Sequence, residues 1–165
     1  DIEWVEYTLG RLRDEGRNFD CFSILRPTSP FRQPETIQRA WYEFLQETGV
    51  DSLRAVERCR QHPGKMWIYY ASANRIWPVM DGWTEAAPYH SSPTQILPVM
   101  TRQNASLEMA WTRVLDATPM TISGTVIAPF WTEGVEGFDI NTEHDFSEAE
   151  RIACEHPEYL PTVTA

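Results

Sequence analysis

Helical periodicity and short apolar runs take turns along the first third of the chain, and this alternation restricts the available folds more than any other feature. Ile2, Val5, Leu9 and Leu12 recur at the spacing of one helical face, and Gly16 closes that segment. Asp20-Cys-Phe-Ser-Ile-Leu25 follows as an apolar run of strand length, cut off by Pro27 and Pro30. Pro34 then opens a second helix, because its fixed φ and missing N–H suit the first turn; Ile37, Ala40, Trp41, Phe44 and Leu45 supply the buried face. Ser52–Cys59, just after Gly49, reads as a second strand. Helix, strand, helix and strand at this spacing predict an α/β fold on a parallel sheet.

Beyond that point the pattern breaks. From His62 to Pro98, prolines, Gly and Ser mix with the aromatics of Trp67–Trp77, which predicts irregular hairpins or an excursion from the sheet. Ala105–Trp111 and Thr121–Phe130 read as further strands. Thr142–Glu155 reads as a closing helix: Thr142 and Asp145 form a capping-box pattern, and Phe146, Ala149, Ile152 and Ala153 form an apolar stripe. The simplest organisation is one domain over residues 1–165 with an excursion at about 62–98.

Composition narrows the partners. A formal net charge of -10 argues against nucleic acid or an anionic membrane as the main partner, since both require basic patches. A small anionic ligand remains possible, because a few local arginines suffice, and Arg11, Arg13, Arg17, Arg26, Arg32 and Arg39 all fall early. Cys21, Cys59 and Cys154 are scattered and form no CxxC pair, which excludes a zinc ribbon and suits a reducing cytoplasm. No apolar run reaches the roughly 18–20 residues a membrane span needs.

Two segments carry the clearest chemical potential. Ile24-Leu-Arg-Pro-Thr-Ser-Pro-Phe-Arg32 is a strand running into a loop with Arg26, Thr28, Ser29 and Arg32, placed just before a helix start. Guanidinium and hydroxyl donors there suit an anion, although a proline-stiffened turn with solvated arginines accounts for them equally well. Phe138-Asp-Ile-Asn-Thr-Glu-His-Asp145 places Asp139 and Asn141 two residues apart along an extended stretch, so both can face one side. Two oxygen-bearing side chains suit Mg²⁺, which takes only one or two carboxylates from a protein. Helix capping explains Thr142, Glu143 and Asp145 but leaves Asp139 over. A third stretch, Gln95–Glu108, offers Asn104 just ahead of a strand, and His62-Pro-Gly-Lys65 is a tight turn exposing a lysine. None of His62, His90, His144 and His156 has a partner at metal-ligand spacing.

In this order and spacing the segments resemble the acylneuraminate cytidylyltransferase family. Leu25-Arg-Pro-Thr-Ser-Pro-Phe-Arg32 is similar to that family's Leu-Gln-Pro-Thr-Ser-Pro-Leu-Arg, and Asp51-Ser-Leu-Arg-Ala-Val56 to its Asp-Ser-Val-x-Ser-Val strand. Gln95-x-Leu-Pro98 followed by Asn104-Ala-Ser resembles Arg-Gln-x-Leu-Pro followed by Asn-Gly-Ala, and Asp139-Ile-Asn-Thr-x-x-Asp145 resembles Asp-Ile-Asp-Thr-x-x-Asp. The resemblance runs from about Ile2 to Ala153. It implies a Rossmann-like, three-layer αβα nucleotidyltransferase fold, a homodimer formed through the 62–98 region, and transfer of CMP from CTP to a sialic-acid-like sugar acid with Mg²⁺. By the same resemblance Asp139 and Arg26 carry the chemistry, Asp139 and Asn141 hold the metal, and Thr28, Ser29, Arg32, Lys65, Gln95 and Asn104 contact substrate.

The departures set expectations too. Arg26 stands where the family has Gln, Thr94 where it has Arg, Ala105 where it has Gly, and Asn141 where it has Asp. Asn141 brings no charge, so metal binding is expected to be weaker. The family's first strand and its glycine-rich Arg-x-Gly-Ser-Lys loop are not in this sequence, so the fold is expected to be incomplete and this chain by itself not to bind CTP productively. The alternative is a non-catalytic binding or assembly module that keeps the same fold.

Overall fold

A computed structural model describes residues 1–162. The chain divides into two compact units, one of residues 1–57 with the chain from Gln103 onward, the other Arg58–Arg102.

The first unit is an α/β arrangement around a four-stranded sheet. Helix α1 (Ile2–Asp14) buries Val5, and Gly16 beyond its end takes φ +78°, a conformation that suits glycine. Strand β1 (Cys21–Ile24) follows, then helix α2 (Pro34–Gln46), with Pro34 in its first turn, as the sequence predicts. Strand β2 (Ser52–Arg58) comes next. Strands β5 (Thr101–Trp111) and β6 (Ile127–Trp131) and helix α3 (Glu143–Glu155) complete the unit. The sheet order is β1-β5-β2-β6.

The expected parallel sheet is instead mixed. β2 and β6 run parallel, with Leu53 opposite Ala128, but β1 and β5 run antiparallel, with Ile24 opposite Glu108. Trp111 N–H donates to Asp51 O at one end of the β2–β5 pair and Cys59 N–H to Met100 O past the other, so β5 also opposes β2. The cause is the route of the chain. It returns from the 58–102 stretch and places β5 between β1 and β2, which separates two strands that are consecutive in this sequence.

Ala40, Phe44, Leu53, Ala55, Leu107, Met109, Ala128 and Phe130 form the core. Trp41 and Leu45, expected inside, are exposed, and buried Thr36 joins Ala40 and Phe44 on the inner face of α2. On α3 only Ala149 is buried and Phe146 is exposed, which corrects the expected stripe. The capping box forms as the sequence predicts, with the Asp145 carboxylate accepting from Thr142 N–H while Thr142 Oγ1 accepts from Asp145 N–H.

The strand expected over Thr121–Phe130 starts only at Ile127. Residues 121–126 are held instead by Asp51, whose Oδ2 accepts from the amides of Thr125 and Val126, and Arg113 pairs with its Oδ1. Those hydrogen bonds hold the Asp51 carboxyl below its ordinary pKa.

Besides the adjoining ends of β2 and β5, the second unit contains a hairpin of β3 (Trp67–Tyr70) and β4 (Arg75–Pro78), short 3₁₀ turns and irregular chain. Every residue of β3 is exposed. His62 Nδ1 accepts from Gly64 N–H, and Nε2 lies 3.0 Å from Pro98 O, which joins the two ends of this unit's loop system.

Gly124 takes φ +65°, and a Cβ there would lie 2.4 Å from Asp51 Cβ. Gly124→Ala is therefore expected to cost about 1–3 kcal/mol in a urea unfolding experiment, through backbone strain and displacement of Asp51.

Candidate functional site

The loop after β1 and the segment before α3 meet. Ile140 N–H donates to Thr28 O at 2.9 Å, and the rings of Phe31 and Phe138 pack edge to face with centroids 5.6 Å apart. Phe31 is buried, so the central apolar residue of the Pro-Thr-Ser-Pro-Phe-Arg loop anchors it. The segments of Asp139 and Ser29 are thereby joined. Asp139 Oδ1 and Ser29 Oγ are both buried and have no hydrogen-bond partner among the described residues. Buried polar oxygens are nearly always paired, so two orphans on adjoining segments mark the place where a polar ligand fits.

Asn104 lies against the same segment. Its Nδ2 donates to Thr132 Oγ1, and its Oδ1 accepts from Ser106 N–H and Oγ. A Cβ on Gly137 would come within 2.6 Å of Asn104 Nδ2, so the missing side chain is what permits this approach. Asn141 does turn toward Asp139, but it presents its amide: Nδ2 donates to Asp139 Oδ2 at 2.9 Å. So placed, Asn141 pairs only with Asp139 Oδ2 and turns its amide nitrogen, not its oxygen, toward the carboxylate.

The two loop arginines differ in kind. Arg26 is committed to acids, hydrogen-bonding Asp1 and lying 3.7 Å from Glu108 Oε1. Glu108, opposite Ile24 in the sheet, is 6% exposed, and its Oε2 lies 3.0 Å from Arg54 Nη2. Neither Oε2 nor Arg54 Nε is aligned for a hydrogen bond, so this contact is an ion pair only. Two carboxylates facing Arg26 and Arg54 leave that row with little net charge for an anion. Arg32 is held by carbonyls: Nη1 donates to Arg26 O at 3.0 Å and Ser106 O at 2.5 Å. Burial lowers its pKa, yet a guanidinium stays charged, so its positive charge is the one these two contacts leave unneutralised. The resemblance implies chemistry at Arg26; in this structure its guanidinium is engaged by acidic neighbours.

Lys65 and Gln95 belong to the second unit. Lys65 is not the exposed lysine expected. Its ammonium donates to the carbonyls of His90, at 3.0 Å, and Ser92. Gln95 lies exposed in a 3₁₀ turn.

One cluster was not legible in the motifs. Glu136 accepts from Thr36 Oγ1 at 2.5 Å, from Arg39 Nη2 at 2.6 Å and from Glu133 N–H at 2.8 Å. Thr36 and Arg39 stand three apart on α2, the spacing of one helical face, which is the only signal the sequence offered. Burial by itself raises the Glu136 pKa, but Thr36, the Glu133 amide and Arg39 together hold it below its ordinary value.

For a metal, the donor set is small. Among the described residues no group of three or more His, Cys, Asp or Glu side chains could hold an ion. One carboxylate with an open, buried oxygen still fits Mg²⁺, which keeps several waters and completes its shell with phosphate oxygens. Asp139 fits that role and Asn141, as oriented, does not. A cavity of about 520 Å³ between α1 and the 115–120 stretch, lined by Glu3, Tyr7, Arg13, Leu115 and Met120 among others, shares no residue with this site. Among the described residues no helix is long and apolar enough to cross a membrane. No protein-family model matches the chain, and no curated protein matches it either.

Because the folded-state pKa of Glu136 is depressed, its contribution to stability is present above the unfolded value and is lost as pH falls through the folded one. The difference in melting temperature between the wild-type chain and Glu136→Gln is therefore expected to be largest near neutrality and to narrow below about pH 4.5. Thermal melts of both proteins from pH 7 to pH 3 measure it; a pH-independent gap contradicts the assignment.

Proposed function

We propose that this chain is part of a cytidylyltransferase that transfers CMP from CTP to a nonulosonic, sialic-acid-like sugar acid and releases pyrophosphate, on a Rossmann-like nucleotidyltransferase fold. The observation that supports the reading is the Ile140–Thr28 hydrogen bond, which joins the segments of Asp139 and Ser29, each with one unpartnered buried oxygen. The motif resemblance supplies the reaction; the meeting of its two separate motifs supports it.

The chemistry suits these parts. A sugar hydroxyl attacks the α-phosphorus in line, its oxygen forms the new P–O bond while its proton passes to water, and pyrophosphate leaves with the electrons of the bond that breaks. Such a step needs positioning and charge neutralisation more than a covalent nucleophile. Asp139 would hold Mg²⁺, which when bound neutralises phosphate charge. Ser29 Oγ and the Thr28 hydroxyl orient the sugar, and Arg32 supplies positive potential from behind the loop. Asn104, braced by Ser106 and Thr132, keeps one amide proton for a ligand. Arg26 shapes the loop through its acidic partners. On this reading the protein is cytoplasmic and pairs with a second copy through the 62–98 region, where Trp67, Tyr69 and Trp77 are exposed.

Two observations favour the second reading, a non-catalytic module with the same fold. Asn141 turns its amide, not its oxygen, to Asp139, and Arg26 is neutralised by Asp1 and Glu108. Metal binding separates the two. Titration of the 165-residue chain with Mn²⁺, read by electron paramagnetic resonance, is expected to show one saturable site, weakened about tenfold or more in Asp139→Asn, the scale of a lost charged ligand contact. Equal binding by both proteins, or none by either at millimolar Mn²⁺, sinks the transferase reading.

A further inference from the structure

We infer that Glu136 is a positioning residue for Asp139, acting through a clamp that ties the Asp139 segment to the first turns of α2. What Asp139 does rests on the transferase reading; what holds Asp139 in place is geometry.

Glu136 stands three residues before Asp139, and three separate groups hold both its oxygens. Thr36 Oγ1 reaches Oε1, while Arg39 Nη2 and Glu133 N–H reach Oε2. Its partners are themselves fixed. Thr36 is 2% exposed, and Arg39 lies over the Phe130 ring at 4.3 Å while its Nη1 donates to Trp131 O. A carboxylate that served only solubility would not gather donors from a helix and from its own turn.

The clamp bears on Asp139 because the intervening chain has little freedom. Gly137 is pressed against Asn104 and Thr132, Phe138 N–H donates to Val135 O, and the Phe138 ring packs on Phe31. The same helix governs the opposite side of the site. α2 begins two residues after Arg32, so the element that holds Glu136 also ends the loop carrying Thr28 and Ser29. Glu136 therefore helps hold the Asp139 segment against the loop of Thr28 and Ser29, the two segments on which Asp139 Oδ1 and Ser29 Oγ stand unpartnered.

Amide hydrogen exchange on the 165-residue chain tests this, read by NMR for wild type and Glu136→Gln, with Mn²⁺ affinity measured on the same samples. Gln keeps the shape but removes the charge that Arg39 holds. The expected result is a rise of about tenfold or more in Ile140 exchange, the scale of a lost charged hydrogen bond, well above any change in the β2 amides, and a parallel loss of Mn²⁺ affinity. Unchanged Ile140 exchange overturns the positioning role, and so does a uniform rise across the sheet, which marks a general structural part. Should Glu136→Gln fail to fold, Arg39→Lys keeps the positive charge but loses the forked contact to Glu136 and Trp131, and is expected to show the same local effect. Wild-type protein that binds no Mn²⁺, with the Ile140 effect intact, retires the transferase reading while leaving the clamp in place.

Discussion

One backbone hydrogen bond, Ile140 N–H to Thr28 O, joins two segments separated by more than a hundred residues, and the candidate site exists only because of it. A single such bond contributes about 1 kcal/mol net. It persists because neighbours over-determine it: Phe31 against Phe138 on one side, and the Glu136 clamp on the other. Apolar packing sets the distance and the clamp sets the direction. The polar atoms left without partners, Ser29 Oγ and Asp139 Oδ1, lie on the two segments that this scaffold joins.

Charge is distributed so that the site is not simply basic. Arg26 and Arg54 face Glu108 in one row, and burying that carboxylate without them would be costly, since an uncompensated buried charge destabilises by several kcal/mol. Arg32 is bound only through carbonyls in the contacts it makes with Arg26 and Ser106, and its charge is available at longer range. An acidic chain can thus present a local positive potential without a basic patch.

The sequence made some of this legible. Pro34 announced the start of α2, and Thr142 with Asp145 announced the capping box, because both are local signals read within one turn. Direction in the sheet was not legible. Alternating helices and strands suggested parallel pairing, whereas β5 enters antiparallel between β1 and β2 after the 58–102 stretch, and no local pattern encodes such a return. The start of β6 was misplaced for a related reason: Asp51, seventy residues earlier, captures the 121–126 segment in a turn. In the site, Asp139 stood out because capping left it without a task. The exposure expected for Lys65 was misread, since its carbonyl partners at His90 and Ser92 are invisible in a sequence. Glu136 was missed because its meaning lies in Thr36 and Arg39, a hundred residues away.

A through-hydrogen-bond scalar coupling between the Ile140 amide nitrogen and the Thr28 carbonyl carbon reports directly on the contact that assembles the site. In a doubly labelled sample of the 165-residue chain the coupling should be present and the Ile140 amide well protected. No coupling, with Ile140 exchanging as in an unfolded chain, would mean that Asp139 and Ser29 do not share a site.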